Sequence, residues 1–362
     1  MRGRVASVDV FRGVTIAAMI LVNTPGSWGH VYAPLLHANW HGYTPTDLIF
    51  PFFLFLVGVS IALAYQDKRP NSITYKKIAI RSLKLIFLGL FLAAFLPYFP
   101  FVKDFSTIRL LGVLQRIGIV FFFTVLLTLH FNWKTLISIV IAILVIYWLW
   151  LGFVPLPNGV LPTFDRAPNN WANYVDVNFL KNHTWKPDYD PEGILSTLPA
   201  IATAIIGVLI GKIIRYQEYM KTILLFLIGL VLIGLGYLWN LWFPFNKALW
   251  SSSFVLVTAG WASVFLSILY YIYDIQKVQL ATIFKYVGAN AIVIYFTSSF
   301  ITKVFYLVRI GDTTIHGWLY NSFVVSVIAD AKLASFTYAL MVVSFYMLVG
   351  YILYKKNIFI KV

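Results

Sequence analysis

Apolar stretches follow one another along this chain, about ten in all, each near the 20 or so residues that a helix needs to cross a hydrocarbon core. They fall near residues 7–23, 47–66, 77–97, 108–130, 134–152, 194–214, 220–241, 251–273, 281–303 and 333–354. Only 11% of the 362 residues are charged and 60% are hydrophobic. A soluble domain carries about 25% charged residues. The fold class that follows is an all-α polytopic membrane protein, one bundle of about ten spans with the lipid bilayer as its solvent. Residues 1–362 read as a single membrane domain with a long polar loop at 153–193. "GWLYNSFVVSVIA" (residues 317–329) is too short to span and is expected to lie at the interface or to re-enter.

The net charge of +15 would suggest nucleic acid in a soluble protein. In a membrane protein it reflects Lys and Arg retained on the cytoplasmic side, so no nucleic-acid partner is expected. "QDKRPNSITYKKIAIRSLK", "GKIIRYQEYMK", the 277–285 loop and "YKKNIFIKV" concentrate these cations, as do Arg2 and Arg4. Placing them inside puts both termini in the cytoplasm and the loops at 24–46 and 153–193 outside. The first apolar stretch resembles a signal peptide, but Asp9 and Arg12 interrupt it and "NTPGSW" is a poor cleavage site. It reads as a retained helix. There are no cysteines, so disulfides and thiolate metal sites are excluded.

Ionisable residues within spans are costly and suggest function. In the first span Asn23 falls about 20° from Arg12 and about 40° from Asp9 around the helix, and Arg12 and Asn23 lie about 16 Å apart along it. Such a polar stripe lines a cavity. The simpler alternative is an Asp9–Arg12 pair with Asn23 as a helix end. In "TIRLLGVLQRIGIV", Arg109 can snorkel to the outer surface, while Gln115 and Arg116 lie deeper. A deep arginine must meet an anion or a carbonyl; pairing with Asp9 or Asp47 is the structural alternative. Arg81 and Lys84 are candidates to hold phosphate, although the cytoplasmic charge bias alone would also place them there.

The polar segment before the second span carries His30, His37, His41 and Asp47. Spacings of seven and four residues without HExxH give zinc little support, and no metal is expected. Acid–base chemistry suits a histidine at a membrane surface better. Asp47 also suits the first turn of a helix, where the dipole favours its charge. These residues fit an enzyme that passes a group from a cytoplasmic anionic donor to an outside acceptor. They fit a transporter nearly as well.

Six blocks carry a resemblance: "SVDVFRGVTIAAMILVN", "LHANWHGYTPTDLIFPFFLFLVG", "GVLQRIGI", "DYDPEGILSTLPAI", "PFNKALWSSSFVL" and "YVGANAIVIYF", in that order from residue 7 to about 300. Together they resemble the heparan-α-glucosaminide N-acetyltransferase family of transmembrane acyltransferases, in its bacterial branch. The extra N-terminal luminal region of the lysosomal members is missing, which implies a multi-pass protein of the bacterial inner membrane. The resemblance implies acetyl transfer from cytosolic acetyl-CoA to the amine of a terminal glucosamine on the far side. The family's active histidine, in an HAxWxG context, matches His37, with Ala38, Trp40 and Gly42; its asparagine matches Asn23.

On that basis His37 is the expected general base, Asp47 its orienting group, and Asn23 the oxyanion donor, with Arg116 as a second. A covalent acetyl-histidine route stays open beside direct transfer. Arg12, Arg81, Lys84, Gln115 and Arg116 are the candidates for the acetyl-CoA site. Trp40, Asp188, Asp190 and Glu192 are the candidates for the amino sugar or glycan acceptor; a turn and helix start is the alternative for "DYDPEG". A homodimer is implied by the resemblance alone. An amino-sugar transporter or permease partner, and an O-acyltransferase on a periplasmic polysaccharide, remain the rival functions.

Overall fold

The computed structural model describes residues 5–65, 68, 70–214 and 219–360. Arg2, Arg4, Arg69 and Arg215, part of the basic set used above for orientation, lie outside the described residues. The described chain is almost wholly helical: α1 Ala6–Asn23, α2 Pro45–Tyr65, α3 Ser72–Ala94, α4 Val113–His130, α5 Trp133–Phe153, α6 Trp171–Leu180, α7 Thr197–Ile214, α8 Tyr219–Trp239, α9 Ser252–Tyr270, α10 Thr282–Ala289, α11 Ala291–Leu307, α12 Ile315–Tyr320 and α13 Ala331–Lys355. A two-residue pair, β1 Arg309–Ile310 with β2 Thr313–Thr314, is antiparallel.

Eight of the described helices are long and apolar enough to cross a membrane. The pair α10 and α11, bent by 82°, meets the same criteria only when taken together, as a broken span or a re-entrant loop. Asn290 occupies the break, and its side chain donates to Ile358 O (3.0 Å) and accepts from Ile360 N (3.0 Å), tying the C-terminal tail to the bend. The expected third span is α3, 23 residues long, but Lys76, Lys77 and Arg81 occupy its first half and Lys84 follows just past the middle. The expected fourth span begins later than residue 108: α4 starts at Val113, because Gly112 is fully extended and Arg109 is drawn sideways into ion pairs. The 317–329 segment forms the short α12 and a π-turn over Asn321–Val325, too short to cross.

The core is α2 against α7, buried nearly all round. Their backbones approach so closely at Gly58 that an added Cβ would lie 1.9 Å from Ala204 O. Small residues allow this contact where no hydrophobic drive exists between helices in lipid. A similar contact joins α1 to α10, where a Cβ on Gly288 would lie 1.8 Å from Asp9 O. The first turn of α1 is capped from afar, with Ala6 N and Ser7 N donating to the Asp274 carboxylate at 2.8 and 2.9 Å. The 153–193 loop is less irregular than expected. It holds α6, whose first turn is capped by Asn170, and it folds over the end of the bundle where Asn23 lies.

Candidate active site

The chain between α1 and α2 folds back on Asp47, in the first turn of α2. One Asp47 oxygen accepts from Ala38 N (3.0 Å), Thr44 N (3.0 Å) and the Thr44 hydroxyl (3.2 Å). The other lies 2.7 Å from His37 Nδ1. Asp47 is 1% exposed, whereas the His37 ring is half exposed. A carboxylate can only accept, so the Asp47 contact assigns a proton to Nδ1, and in the neutral ring Nε2 would then present its lone pair. Gly42 turns the segment at φ +91°, and its N–H donates to Phe245 O (2.7 Å). Trp40 Nε1 donates to Phe164 O (2.8 Å), and its ring meets Tyr189 edge-on at 5.2 Å. The histidine loop is therefore fixed by α2, by the 153–193 loop and by the chain after α8.

That last segment supplies a residue the sequence reading missed. Lys247 Nζ lies 3.5 Å from Asp47 Oδ1, and 3.1 and 3.5 Å from the two His37 ring nitrogens. Its turn is built by Asn246, whose side chain accepts from Leu249 N (2.9 Å), and by Trp250, which donates to Thr203 Oγ1 (3.0 Å). Burial pulls the Lys247 ammonium down, against the opposing pull of Asp47 and Glu192. A lone lysine in the otherwise apolar "PFNKALW", at an end of the bundle where cations are scarce, was the available signal.

The third wall is a charge network. Arg109 grips Asp190 through two hydrogen bonds (2.8 and 2.5 Å) and reaches Glu192 at 2.5 Å. Burial favours a neutral Glu192, but Arg109, Arg116 and Lys247 outweigh it and hold the carboxyl below its usual range. Asp176 behaves the other way: burial raises it to about 6, although it accepts from Ile194 N and Asp190 N. A cavity of about 290 Å³ opens between these groups, lined by Asn23, His37, Trp40, Asp47, Arg109, Tyr189, Glu192 and Lys247 among others.

A second cavity of about 550 Å³ lies at the opposite end of the same helices, lined by Arg12, Ser60, Tyr65, Lys77 and Arg81. Arg12 donates to Ser60 Oγ (2.7 Å), Asp9 Oδ1 (3.1 Å) and Gly288 O (3.2 Å). The Arg81 guanidinium lies over the Phe121 ring at 4.6 Å, and its buried Nε has no hydrogen-bond partner among the described residues. The donors and charge of this cavity suit phosphate groups. On α2 the first cavity reaches Phe50 and the second begins at Phe53; on α11 the boundary falls between Tyr295 and Ile292. Three residues of helix are about 4.5 Å, so about one turn of side chains separates the two.

The expected site residues are thus sorted by the fold. His37, Asn23, Asp47, Trp40 and Glu192 meet in one cavity; Arg12 and Arg81 meet in the other. The polar stripe of α1 does not line one continuous path, because apolar side chains divide it into two ends. Lys84 is exposed and does not line the Arg12 cavity. Gln115 does not join Arg12 either: it faces a chamber beside Asn23. Arg116 meets neither Asp9 nor Asp47. It is 1% exposed and donates to Pro191 O (3.2 Å), Gly193 O (3.0 Å) and Ser196 Oγ (2.5 Å), which leaves it holding backbone. Arg109 turns inward rather than snorkelling. Asp190 is buried against Arg109, and Asp188 pairs with Arg166 outside the cavity. The histidines separate: His41 pairs with Asp165 at 2.9 Å and His30 approaches Ser27.

The family model "Heparan-alpha-glucosaminide N-acetyltransferase, catalytic" matches residues 4–236, more than half of the chain. The chain belongs to this family. It is similar to the heparan-alpha-glucosaminide N-acetyltransferase of Homo sapiens, 29% identical over 423 residues that cover 99% of this chain and 60% of that protein. The protein of the same name from Mus musculus is 29% identical over 424 residues, with the same coverage. The chain therefore spans about 60% of the length of the curated relatives it matches. Within this acetyltransferase family match lie His37, Asn23, Asp47 and Glu192; Lys247 lies beyond residue 236, within the span shared with the full-length relatives.

Proposed function

We propose that this chain is a transmembrane acetyltransferase that moves an acetyl group from acetyl-CoA to the amine of a glucosamine-type sugar. The observation that carries the reading is the His37–Asp47 pair in a cavity one helical turn from a second, cationic cavity. The names of the similar proteins support the reaction class and the acceptor. Acetyl-CoA, when bound, supplies an activated acyl group as a thioester. Arg12, Lys77 and Arg81 hold its phosphates, and the unpartnered Arg81 Nε is a donor available for them. The concentration of cations at that end supports a cytoplasmic donor side and an extracytoplasmic acceptor side.

At the other end, Glu192 and the ring of Trp40 position the amino sugar. His37 Nε2 takes a proton from the attacking amine as the N–C bond forms, and returns it to the leaving sulfur as the C–S bond breaks. Asp47 keeps the ring in the tautomer that makes Nε2 the base. Asn23 meets the negative charge that develops on the carbonyl oxygen, and Lys247 adds a cation beside the same ring. The bilayer is the protein's solvent throughout, and the bacterial inner membrane is the setting that the reading implies.

The test is purified protein with labelled acetyl-CoA and a panel of amino and neutral sugars. Acetylated amino sugar that disappears in His37→Ala is the expected result. Sugar uptake into proteoliposomes with no CoA binding would assign the chain to transport instead. Acetylation of neutral sugars alone would make it an O-acyltransferase.

A further inference from the structure

Beside the His37 cavity lies a larger chamber of about 840 Å³, and the two share Met19, Asn23, Arg109, Val113, Trp185 and Tyr295 as common wall. Two lysines line the larger one. Lys303 Nζ, on α11, donates to Leu92 O (2.6 Å) and Ala93 O (3.3 Å), which end α3. Lys103 Nζ, in the loop after α3, donates to Thr107 O (3.0 Å). An ammonium has three N–H groups, so one remains on Lys303 and two on Lys103. Among the described residues neither is paired with a carboxylate, and no acidic side chain lines the chamber. Arg109, on the shared wall, is already neutralised by Asp190 and Glu192. Thr107, Thr184 and Ser299 add hydroxyls. The chamber therefore presents two lysine ammonium groups with free donors to whatever extends past Asn23; the Lys103 charge is partly offset by Asp104, which does not line the chamber.

The level of this site follows from its neighbours. Phe99, Phe101 and Phe105 flank Lys103 and are 84%, 58% and 77% exposed. Aromatic side chains exposed at the end of a membrane bundle sit at the interface with water. A ligand at Lys103 is thus at headgroup depth, open to a soluble glycan and to a lipid headgroup alike.

We infer that this chamber is a subsite for an oxyanion carried by the acceptor next to its amino sugar, a phosphate or carboxylate held by Lys103 and Lys303. The inference rests on the reading of the His37 cavity as the site of transfer, and the test separates the two. The first measurement is binding without turnover, as the thermal shift of the detergent-solubilised protein with glucosamine 1-phosphate and with neutral methyl glucosaminide. The phosphate sugar is expected to bind at least about tenfold more tightly, an advantage lost in Lys103→Gln and Lys303→Gln and restored by Lys103→Arg. In the acetyl-transfer assay the same two Gln variants raise KM for the phosphate sugar by a similar factor. They leave kcat/KM for the neutral sugar within about twofold. A third arm carries the phosphate sugar on a prenyl or acyl chain in nanodiscs. A lysine-dependent advantage there alone identifies the source of the oxyanion as lipid, and one shared with the soluble sugar identifies it as a free glycan. Equal binding of charged and neutral sugars in every arm, nanodiscs included, or equal losses for both in the lysine variants, overturns the subsite. Lysine-dependent binding without any acetyl transfer upholds the subsite and overturns the reading of the His37 cavity.

Discussion

Asp47→Asn isolates the element on which the proposed chemistry depends. The side chains have the same shape, so one oxygen can still accept from Ala38 N and Thr44 N. The atom facing His37 Nδ1 at 2.7 Å becomes a donor. Two donors cannot share that contact, so His37 must accept at Nδ1 and carry its proton on Nε2. The lone pair needed to deprotonate the amine is then gone. The same substitution in a Ser-His-Asp triad lowers kcat by about 10⁴-fold, or roughly 5.5 kcal/mol. A loss of 10³- to 10⁴-fold is expected here, with KM for acetyl-CoA unchanged because Arg12 and Arg81 lie in the other cavity. The fold should lose only about 1–2 kcal/mol, as charged acceptors become neutral ones. Asp47→Ala differs. It strands the Ala38 and Thr44 N–H groups, at roughly 1–3 kcal/mol each, while the Thr44 hydroxyl keeps Leu36 O (2.7 Å), so activity and melting temperature fall together. Initial rates with labelled acetyl-CoA, beside a melting curve in detergent, read both. An Asp47→Asn protein with more than about a tenth of the wild-type kcat would refute the assignment of His37 Nε2 as the base.

Asn23→Ala should lower kcat by about 100- to 1,000-fold, the usual cost of one oxyanion donor; a loss under about tenfold in initial-rate assays removes Asn23 from that role. Arg81→Gln should weaken acetyl-CoA by about ten- to a hundredfold in a binding titration, as loss of a charged hydrogen bond does, with KM for the sugar unchanged. Asp176 titrates at about 6 in the fold against an ordinary value of 3.8. The folded chain thus binds more protons than the unfolded one between these values, and this group's contribution to stability falls as pH rises through that window. A rise of that size corresponds to about 3 kcal/mol. The wild-type melting temperature should therefore gain on that of Asp176→Asn as pH drops from 7 to 4.5, and parallel curves would contradict this. Arg116→Met should lower the melting temperature by several degrees, because the contacts to Pro191 O, Gly193 O and Ser196 Oγ are lost together, and a selective rise in KM for acetyl-CoA would contradict the backbone-holding role.

The spans were legible because runs of about 20 apolar residues have few alternative fates. His37 and Asn23 were singled out by the family resemblance, through the HAxWxG context and the first-helix block, and Asp47 by its place in the first turn of a helix; residue type alone left His30, His37 and His41 equal. What distance in sequence hides was lost. Lys247 reaches His37 across 210 positions, and Arg109 reaches Glu192 across 83. "DYDPEG" shows why residue type alone misleads. Its three acids read as one acceptor surface, yet Asp188 faces outward to Arg166, Asp190 is consumed by Arg109 and Glu192 alone lines the cavity. Arg116 was correctly expected to need a partner, but carbonyls of a distant turn carry no sequence signature. The helix α6 was hidden because its amphipathic pattern is short and polar.

The single turn of side chains between the two cavities also has an electrical meaning. Under the proposed function both cavities are open to water, and the membrane potential would then fall across Phe50, Phe53, Ile292 and Tyr295 rather than across about 30 Å of hydrocarbon. Aromatic and aliphatic constrictions of this kind exclude ions by dewetting. A full charge carried through that field gains or loses about 2.3 kcal/mol per 100 mV. In the proposed reaction the acetyl group is neutral, so its transfer would neither draw on the potential nor discharge it.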